Sequence, residues 1–299
     1  MTRHIVLLAA LLLCAVRAEA LDVFACEPEW ASLVQELGRD KVTVYAATTA
    51  LQDPHRIEAR PSLVAKLRNA DLVICTGAEL EVGWLPVLMQ TAGNRNVQQG
   101  TPGFVAAADL VERLEVPSRL DRAEGDIHPS GNPHVHLDPN NIAKIAAVVS
   151  ARLAELDAKQ ADSYRVWGDE FQQRWAAAIT KWNHDAVPLR GLRVVPHHKD
   201  QVYLLHWLGA FEVMNIEPKP GMPPTAAHLA SLVGRFDEQK VDVITRSAYQ
   251  DPKPAQWLAE RTHVPVLELP YTVGGTPAAK DLFGLFDDTL ARLKSVTPR

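Results

Sequence analysis

Short apolar runs alternate with longer amphipathic stretches along most of this chain. The runs, rich in Val, Ile and Leu, are typical of buried strands, and they lie at Leu21–Cys26, Val42–Ala46, Asp71–Cys75, Leu192–Val195, Phe211–Ile216, Val241–Thr245 and Val264–Leu269. Apolar residues three and four positions apart predict helices between them, for example over Trp30–Leu37 and Pro61–Asn69. Strand and helix alternate in two blocks, which predicts an α/β fold of two lobes with mainly parallel sheets.

A long proline-free helical pattern separates the two blocks, from Asn140 to about Asp185, with an interruption near Asp157 to Ala161. A helix over 161–184 would be about 35 Å long at 1.5 Å per residue, enough to join two lobes stiffly. The alternative is a core helix of one lobe. We therefore predict an N-terminal α/β lobe over 21–160, a bridging helix over 161–186 and a C-terminal α/β lobe over 187–299.

The amino terminus has the pattern of an export signal. Arg3 and His4 precede an apolar run from Ile5 to Ala15 that is too short to span a bilayer, and Ala18-Glu19-Ala20 has the form of a cleavage site. Leu13 stands directly before Cys14, where a lipid-modification signal requires a small residue. We predict that residues 1–20 are a cleaved signal peptide and that the mature protein is periplasmic and soluble rather than a lipoprotein.

The charge balance argues against nucleic acid and anionic membrane surfaces as partners. The chain has 31 basic and 36 acidic side chains, and loss of Arg3, Arg17 and Glu19 with the signal leaves 29 and 35, a formal charge of −6. We expect a monomer.

Two cysteines follow the predicted signal peptide, and each ends an apolar run. Cys26 and Cys75 should lie at the carboxyl ends of strands in one parallel sheet. In an oxidising compartment these positions are compatible with a disulfide, and the alternative is a pair of buried thiols.

Three histidines follow proline-marked turns in distant parts of the chain: His55 in Asp53-Pro54-His55, His134 in Asn132-Pro133-His134, and His198 after Pro196-His197. Ligands of open α/β sheets bind beyond the carboxyl ends of the strands, so we expect all three imidazoles to face one cleft. Neutral imidazole is the commonest protein ligand for borderline metals, and the set predicts a metal site.

These segments resemble the metal-specific substrate-binding proteins of bacterial ABC importers for zinc and manganese. The resemblance covers nearly the whole mature chain and rests on Asp53-Pro54-His55 with Arg60-Pro61-Ser62, Ala70–Ile74 with Gly77–Glu81 and Trp84-Leu85, Asn132-Pro133-His134 with Leu137-Asp138-Pro139, and His198 with Tyr203 and Gly209. It implies two four-stranded lobes bridged by a rigid helix, a metal site in the cleft, His198 rather than His197 as the third ligand, and a membrane permease with a separate ATPase as partners.

The chain departs from this family at the fourth ligand. Val273, in Pro270-Tyr271-Thr272-Val273, stands where many relatives have an aspartate, which leaves Asp281, His136 or water as the alternatives. The segment Arg122–His128 resembles a short form of the acidic, histidine-rich loop of zinc members, and it is either a capture loop or a plain surface loop.

Three imidazoles favour Zn²⁺, because Mn²⁺ prefers more carboxylate oxygen. Two other classes of function use a similar site. A zinc hydrolase needs a general base, for which Glu79, Glu81 and Glu217 are candidates, but the His-Glu-x-x-His pattern is missing from the sequence. An adhesion module would use zinc only to stabilise its fold. We predict a zinc-binding transport protein with Zn²⁺ as its cargo and no enzymatic activity.

Overall fold

The structure, a computed structural model, describes residues 20–119, 125 and 128–297. The predicted signal peptide therefore lies outside the described residues apart from Ala20, and so does most of the Arg122–His128 segment. Within the described part of the chain, no helix is both long enough and apolar enough to cross a bilayer.

Each half of the chain forms a parallel four-stranded sheet flanked by helices. In the N-terminal lobe the elements are β1 (Leu21–Ala25), α1 (Pro28–Gly38), β2 (Val42–Ala46), α2 (Pro61–Arg68), β3 (Leu72–Cys75), α3 (Leu85–Ala92), β4 (Phe104–Ala106) and α4 (Pro139–Leu156). After α5 (Ala161–Asp185) come β5 (Arg193–Pro196), α6 (Val202–Leu208), β6 (Phe211–Glu212), α7 (Ala226–Glu238), β7 (Val243–Ser247), α8 (Pro252–Thr262), β8 (Val266–Leu269) and α9 (Leu282–Lys294).

The strand orders are β2-β1-β3-β4 and β6-β5-β7-β8, and all the pairings are parallel. In each sheet the chain runs outward in both directions from the first strand of its lobe, so a crevice opens beside the carboxyl end of β1 and of β5. This arrangement confirms the predicted fold class.

Proline and short polar residues mark where several helices begin. Pro28, Pro61, Pro139 and Pro252 lie in the first turns of their helices, where the missing N–H costs nothing. The side chain of Thr225 caps α7 by accepting from the amide of His228. These signals explain why most of the predicted boundaries are close to the observed ones.

Two details of the sheets differ from the sequence prediction. The strand predicted over Phe211–Ile216 ends at Glu212, and the irregular segment after it keeps isolated hydrogen bonds to the β5 segment from the amides of Val213 and Ile216. Strand β4 was not located by the sequence pattern, since Phe104–Ala106 contains only three residues and has no distinct alternation.

Helix α5 connects the lobes and carries the aromatic centre of the largest core. It packs against α1 and α4 of the first lobe and against α9 of the second. Trp175 stacks on Phe171 at 5.3 Å between ring centres and meets Trp182 edge-on at 5.0 Å, and Trp182 contacts Phe286 of α9. The break predicted near Asp157 to Ala161 is a single 3₁₀ turn between α4 and α5.

Each sheet has one smaller apolar cluster on its far face. The cluster of the first sheet lies under α2 and α3, and that of the second sheet lies under α7 and α8. The buried apolar residues thus lie mainly beneath the helices, while the carboxyl ends of the strands carry polar loops. We therefore expect the lobes to fold without a ligand at the strand ends.

We predict that chelated protein at neutral pH keeps its helical far-UV circular dichroism and melts cooperatively. A bound ion should raise the melting temperature through mass action without creating the fold. The comparison is one sample with chelator and one with an equivalent of metal. A random-coil spectrum of the chelated sample would contradict the prediction and favour a structural metal.

Candidate metal site

His55, His134 and His198 come together between the two lobes. His55 lies in the loop after β2, His134 lies just before α4, and His198 follows β5. Their ring centres form a nearly equilateral triangle, with 5.6 Å from His55 to each of the other two and 5.8 Å between His134 and His198. One ring nitrogen from each lies within 4.8 Å of the others, so the three side chains can hold one cation.

Each imidazole uses its Nδ1 atom for a hydrogen bond to an oxygen. The partners are Asp53 Oδ1 at 2.8 Å for His55, the Tyr271 hydroxyl at 2.9 Å for His134, and Glu217 Oε2 at 2.7 Å for His198. Nε2 of His55 is buried without a hydrogen-bond partner among the described residues. A metal-binding histidine typically shows this pattern, in which the second nitrogen donates to an oxygen and fixes the ring.

The surroundings shift the pKa values of two of these rings in opposite directions. Burial, followed by the neighbouring imidazoles of His55 and His198, holds the pKa of His134 well below its ordinary value. Burial also disfavours the charged form of His198, but its hydrogen bond to Glu217 and the nearby carboxylate of Asp200 prevail and raise its pKa. The His134 ring therefore stays neutral and can donate a lone pair to a metal ion. At the His198 ring, protons compete with a metal ion for the lone pair.

Hydrogen bonds around the turn fix the position of His55. The indole of Trp84 donates to the carbonyl oxygen of Pro54 at 2.8 Å, and the His55 amide donates to Asp53 Oδ1 at 3.0 Å. The Asp-Pro-His sequence therefore supplies both the turn and the carboxylate that orients the ring.

Asn132 and Tyr203 attach the second segment to the C-terminal lobe. The side chain of Asn132 accepts from the His134 amide and donates to the Lys199 carbonyl, next to His198. The Tyr203 hydroxyl donates to the Asn132 carbonyl at 2.8 Å and accepts from the Leu114 amide. Because these bonds cross between the lobes, they fix the position of His134 relative to His198.

His197 points away from the three-histidine cluster. Its amide donates to the Thr245 carbonyl, as a continuation of the β5–β7 pairing, and its Nδ1 atom is buried without a partner among the described residues. Adjacent residues of an extended segment alternate in direction, so His198 faces the cluster and His197 does not.

Two of the three sequence candidates for a fourth ligand are engaged elsewhere. The carboxylate of Asp281 caps α9 by accepting from the Gly284 amide, on a surface lined by Ser32 and Arg39. His136 is fully buried beside Glu29 and donates from Nε2 to the Tyr271 carbonyl. Val273 packs against the main core.

The carboxylates considered as general bases also have structural partners. Glu79 accepts from the hydroxyl and the amide of Ser130, Glu81 accepts from the amides of Thr76 and Gly77, and Glu217 orients His198. Burial raises the pKa of Glu81 to about 7. These carboxylates hold loops and an imidazole in place.

A disulfide between Cys26 and Cys75 joins the carboxyl ends of β1 and β3, with 4.8 Å between the two Cα atoms. Both cysteines are fully buried. Of the two alternatives left open by the sequence, the structure has the disulfide.

Sequence reasoning missed the oxygen partners of the rings. Asp53 is part of the Asp-Pro-His motif, but its role depends on the fold of the turn. Tyr271 lies two residues after the end of β8, so its place at the carboxyl edge of the second sheet was the available signal. Glu217 lies in a proline-rich loop 19 residues from His198, and no spacing indicated their contact.

The fold is similar to that of solved metal-binding proteins. A structure described as the crystal structure of ZnuA aligns over 94% of this chain and all of its own, with a TM-score of 0.78 and 21% identity. A Mn-bound periplasmic metal binding protein from Candidatus Liberibacter asiaticus aligns over 92% of this chain and 98% of its own, with a TM-score of 0.72 and 19% identity.

The sequence relatives are also described as metal-transport components. The manganese ABC transporter substrate-binding lipoprotein scaA of Streptococcus gordonii is 23% identical, with 82% of this chain and 78% of its own length aligned. PsaA of Streptococcus pneumoniae, which carries the same description, is 21% identical over 83% of this chain and 79% of its own. The two lobes, the connecting helix and these similarities define an extracytoplasmic metal-binding component of an ABC importer.

Residues 23–296 match the family described as zinc-uptake complex component A, periplasmic, and the chain belongs to that family. Its members are substrate-binding proteins and not enzymes. This membership confirms the predicted resemblance and the absence of a catalytic role.

We predict that His197→Ala changes metal affinity far less than His198→Ala, because only the second ring faces the cluster. Isothermal titration of the two variants under the same conditions measures the difference. An equal or larger loss in His197→Ala would show that the site uses the neighbouring residue.

A second prediction concerns pH. Glu217 raises the pKa of His198, so the affinity for metal should begin to fall with decreasing pH while still above about 6.5, the ordinary imidazole value. Glu217→Gln should move this fall to lower pH and weaken binding at neutral pH by about tenfold to a hundredfold.

Metal titrations from pH 8 to pH 5 test both effects, and Glu212→Gln is the control for loss of a carboxylate in the same lobe. The role assigned to Glu217 is wrong if the metal affinity begins to fall at the same pH in the wild type and in Glu217→Gln.

Proposed function

We propose that this protein captures Zn²⁺ outside the cytoplasmic membrane and delivers it to the permease of an ABC importer, which a separate ATPase powers. His55, His134 and His198 hold the ion in the cleft. The observation that carries the proposal is the convergence of three imidazoles whose Nδ1 atoms all meet oxygens, so that each ring offers Nε2 to one point.

The donor atoms favour zinc over manganese. Within the described chain, the cluster of three offers only nitrogen, and the carboxylates of Asp53 and Glu217 are occupied by the Nδ1 atoms. Zn²⁺ prefers nitrogen donors in a tetrahedral arrangement, whereas Mn²⁺ prefers more oxygen and a higher coordination number. The relatives described as manganese ABC transporter substrate-binding lipoproteins are only 23% and 21% identical to this chain, so their metal does not carry over to it.

The remaining parts of the proposal concern maturation and organisation. Cleavage after Ala20 releases a soluble periplasmic monomer. The released protein has no lipid attached at Cys14, because Leu13 stands before that cysteine where lipid attachment requires a small residue. The mature chain then consists of a lobe over 21–160, a bridging helix over 161–186 and a lobe over 187–299. The resemblance to solute-binding proteins supports capture and delivery over a purely structural role for the metal.

The test is a zinc titration of purified mature protein. We expect one Zn²⁺ per chain and a sharp loss of affinity in each of His55→Ala, His134→Ala and His198→Ala, because two remaining imidazoles do not offset the dehydration of the ion. Competition with excess Mn²⁺ should not displace zinc.

The control is His206→Ala, which removes an exposed histidine of α6. Unchanged zinc affinity in any one of the three cleft variants would remove that residue from the site, and preferential binding of Mn²⁺ would overturn the choice of metal.

A further inference from the structure

A second group of metal-binding side chains lies where β1 and β3 end, outside the three-histidine cluster. It consists of Cys26, Cys75 and Glu81, which are all buried and whose sulfur and carboxylate oxygen atoms lie within 4.8 Å of one another. The two sulfurs are bonded to each other in this structure. Thiolate and carboxylate are both zinc ligands, so the reduced form of the pair presents two thiolates and one carboxylate to the same point.

The turn after β3 brings Glu81 back over the end of its own strand. Gly77, Ala78 and Glu79 have φ angles of 78°, 47° and 62°, a run in the left-handed region that non-glycine residues rarely adopt. The reversed chain lets Glu81 accept from the amides of Thr76 at 2.7 Å and Gly77 at 3.0 Å. Metal-binding carboxylates are commonly oriented by such hydrogen bonds, so this strained turn holds an oxygen donor in a fixed place beside the sulfurs.

Further buried carboxylates crowd the same region. Glu27, directly before α1, is 1% exposed, and Glu29 in the first turn of α1 is 0% exposed. The Glu27 carboxylate lies close to those of Glu81 and Glu29, and its Oε1 atom has no hydrogen-bond partner among the described residues. Buried carboxylates are normally paired or coordinate a metal, and a cation bound at Glu81 would relieve the repulsion among them.

A cavity of about 320 Å³ connects this region with the surface of the first lobe. Its lining includes Cys75, Glu81 and Phe104 as well as the exposed Asp109. The sulfurs themselves are buried, so entry of a cation requires the side chains around Cys75 to move. Water in the cavity can occupy the fourth position of a tetrahedral ion held by three protein ligands.

The distances are compatible with such an ion. Zinc has bonds of about 2.3 Å to sulfur and about 2.0 Å to oxygen, so tetrahedral donors lie about 3.5 to 3.8 Å apart. The sulfurs of Cys26 and Cys75 must separate to reach this spacing after their bond is broken, and the Glu81 oxygen is already within 4.8 Å of both. Rotation of the two cysteine side chains supplies the change without a shift of either strand.

We propose that the dithiol form of this protein binds a thiophilic divalent cation such as Zn²⁺ at Cys26, Cys75 and Glu81, and that formation of the disulfide abolishes this site. Glu27 is a positioning residue that contacts Glu81 and not the ion. The inference goes beyond the proposed function and does not depend on the three-histidine cluster.

The two forms interconvert by thiol–disulfide exchange. A dithiol breaks the bond between Cys26 and Cys75, gives the two cysteines two electrons and two protons, and itself becomes a disulfide. Binding of the cation then releases the two thiol protons to water, because thiolates are the ligands. In the reverse direction a protein disulfide accepts two electrons from the cysteines and two protons from water, and the cation returns to the solvent.

The experiment is a titration of the mature protein with Co²⁺, in the oxidised form and after reduction with a phosphine under anaerobic conditions. The phosphine becomes a phosphine oxide with an oxygen atom from water. Thiolate ligands give Co²⁺ an intense near-ultraviolet charge-transfer absorption that imidazole and carboxylate ligands do not give. This signal therefore reports the cysteine site even when the three-histidine cluster is loaded.

We expect one thiolate-bound Co²⁺ per reduced chain and none per oxidised chain, and added Zn²⁺ should abolish the absorption by displacing Co²⁺. Cys26→Ser should lose about half of the absorption, because one thiolate remains. Glu81→Gln should weaken binding by about tenfold or more in the reduced protein. The matched control is Glu79→Gln, which changes a carboxylate of the same turn that contacts Ser130 and should leave the affinity unchanged.

Circular dichroism of the reduced protein accompanies each titration. Loss of the folded spectrum on reduction would overturn the proposal, since the three donors then no longer lie together. Equal affinities in wild type and Glu81→Gln would also overturn it, because an unstructured pair of thiols binds Co²⁺ without help from Glu81. So would a reduced wild type that shows no charge-transfer absorption.

Failure of this inference is distinguishable from failure of the proposed function. If His198→Ala loses its high-affinity zinc while the reduced chain shows no thiolate-bound Co²⁺, the three-histidine site stands and the cysteine site falls. If reduced His198→Ala keeps the charge-transfer absorption, the cysteine site stands whatever the outcome at the cleft.

Discussion

The hydrogen bond at Nδ1 of each cleft histidine is the constraint on which the site depends. An imidazole can donate a lone pair from either nitrogen, and its ring rotates unless something holds it. Here three different oxygen partners settle the choice: a carboxylate two residues earlier for His55, a carboxylate 19 residues later for His198, and the phenol of Tyr271 for His134. With these bonds in place, one nitrogen of each ring lies within 4.8 Å of the others, so the bonds hold the cluster in an arrangement that suits a cation.

One of these bonds, from Tyr271 to His134, belongs to a larger contact between distant parts of the chain. Tyr271 reaches His134 with its hydroxyl and receives a hydrogen bond from His136 at its carbonyl, while Thr272 beside it donates to the buried carboxylate of Glu29 in α1. The segment after β8 therefore fits against the first lobe through a polar, fully buried contact. A substitution there would affect ring orientation and lobe contact together, which links the chemistry of the cleft to the stability of the assembly.

The sequence predicted the architecture well because its signals are local. Strand runs such as Val42–Ala46, the prolines at helix starts and the break near Asp157 depend on neighbouring residues, and all of them appear in the structure. The convergence of the three histidines was also predictable, since strand ends of a parallel sheet share one edge. The partners Tyr271 and Glu217 were not, because they depend on how loops from separate lobes meet, and no periodic pattern records that.

Helix α5 has a consequence for the evolution of such proteins. Because Trp175 and its aromatic neighbours bind both lobes into one continuous core, the spacing between the lobes depends mainly on α5 and less on the residues of the loops. The loops can then exchange histidine, carboxylate and tyrosine at the cleft without redesign of the scaffold. A few loop substitutions can in this way change the preferred cation while the fold stays the same. Relatives with little sequence identity can also keep nearly the same fold.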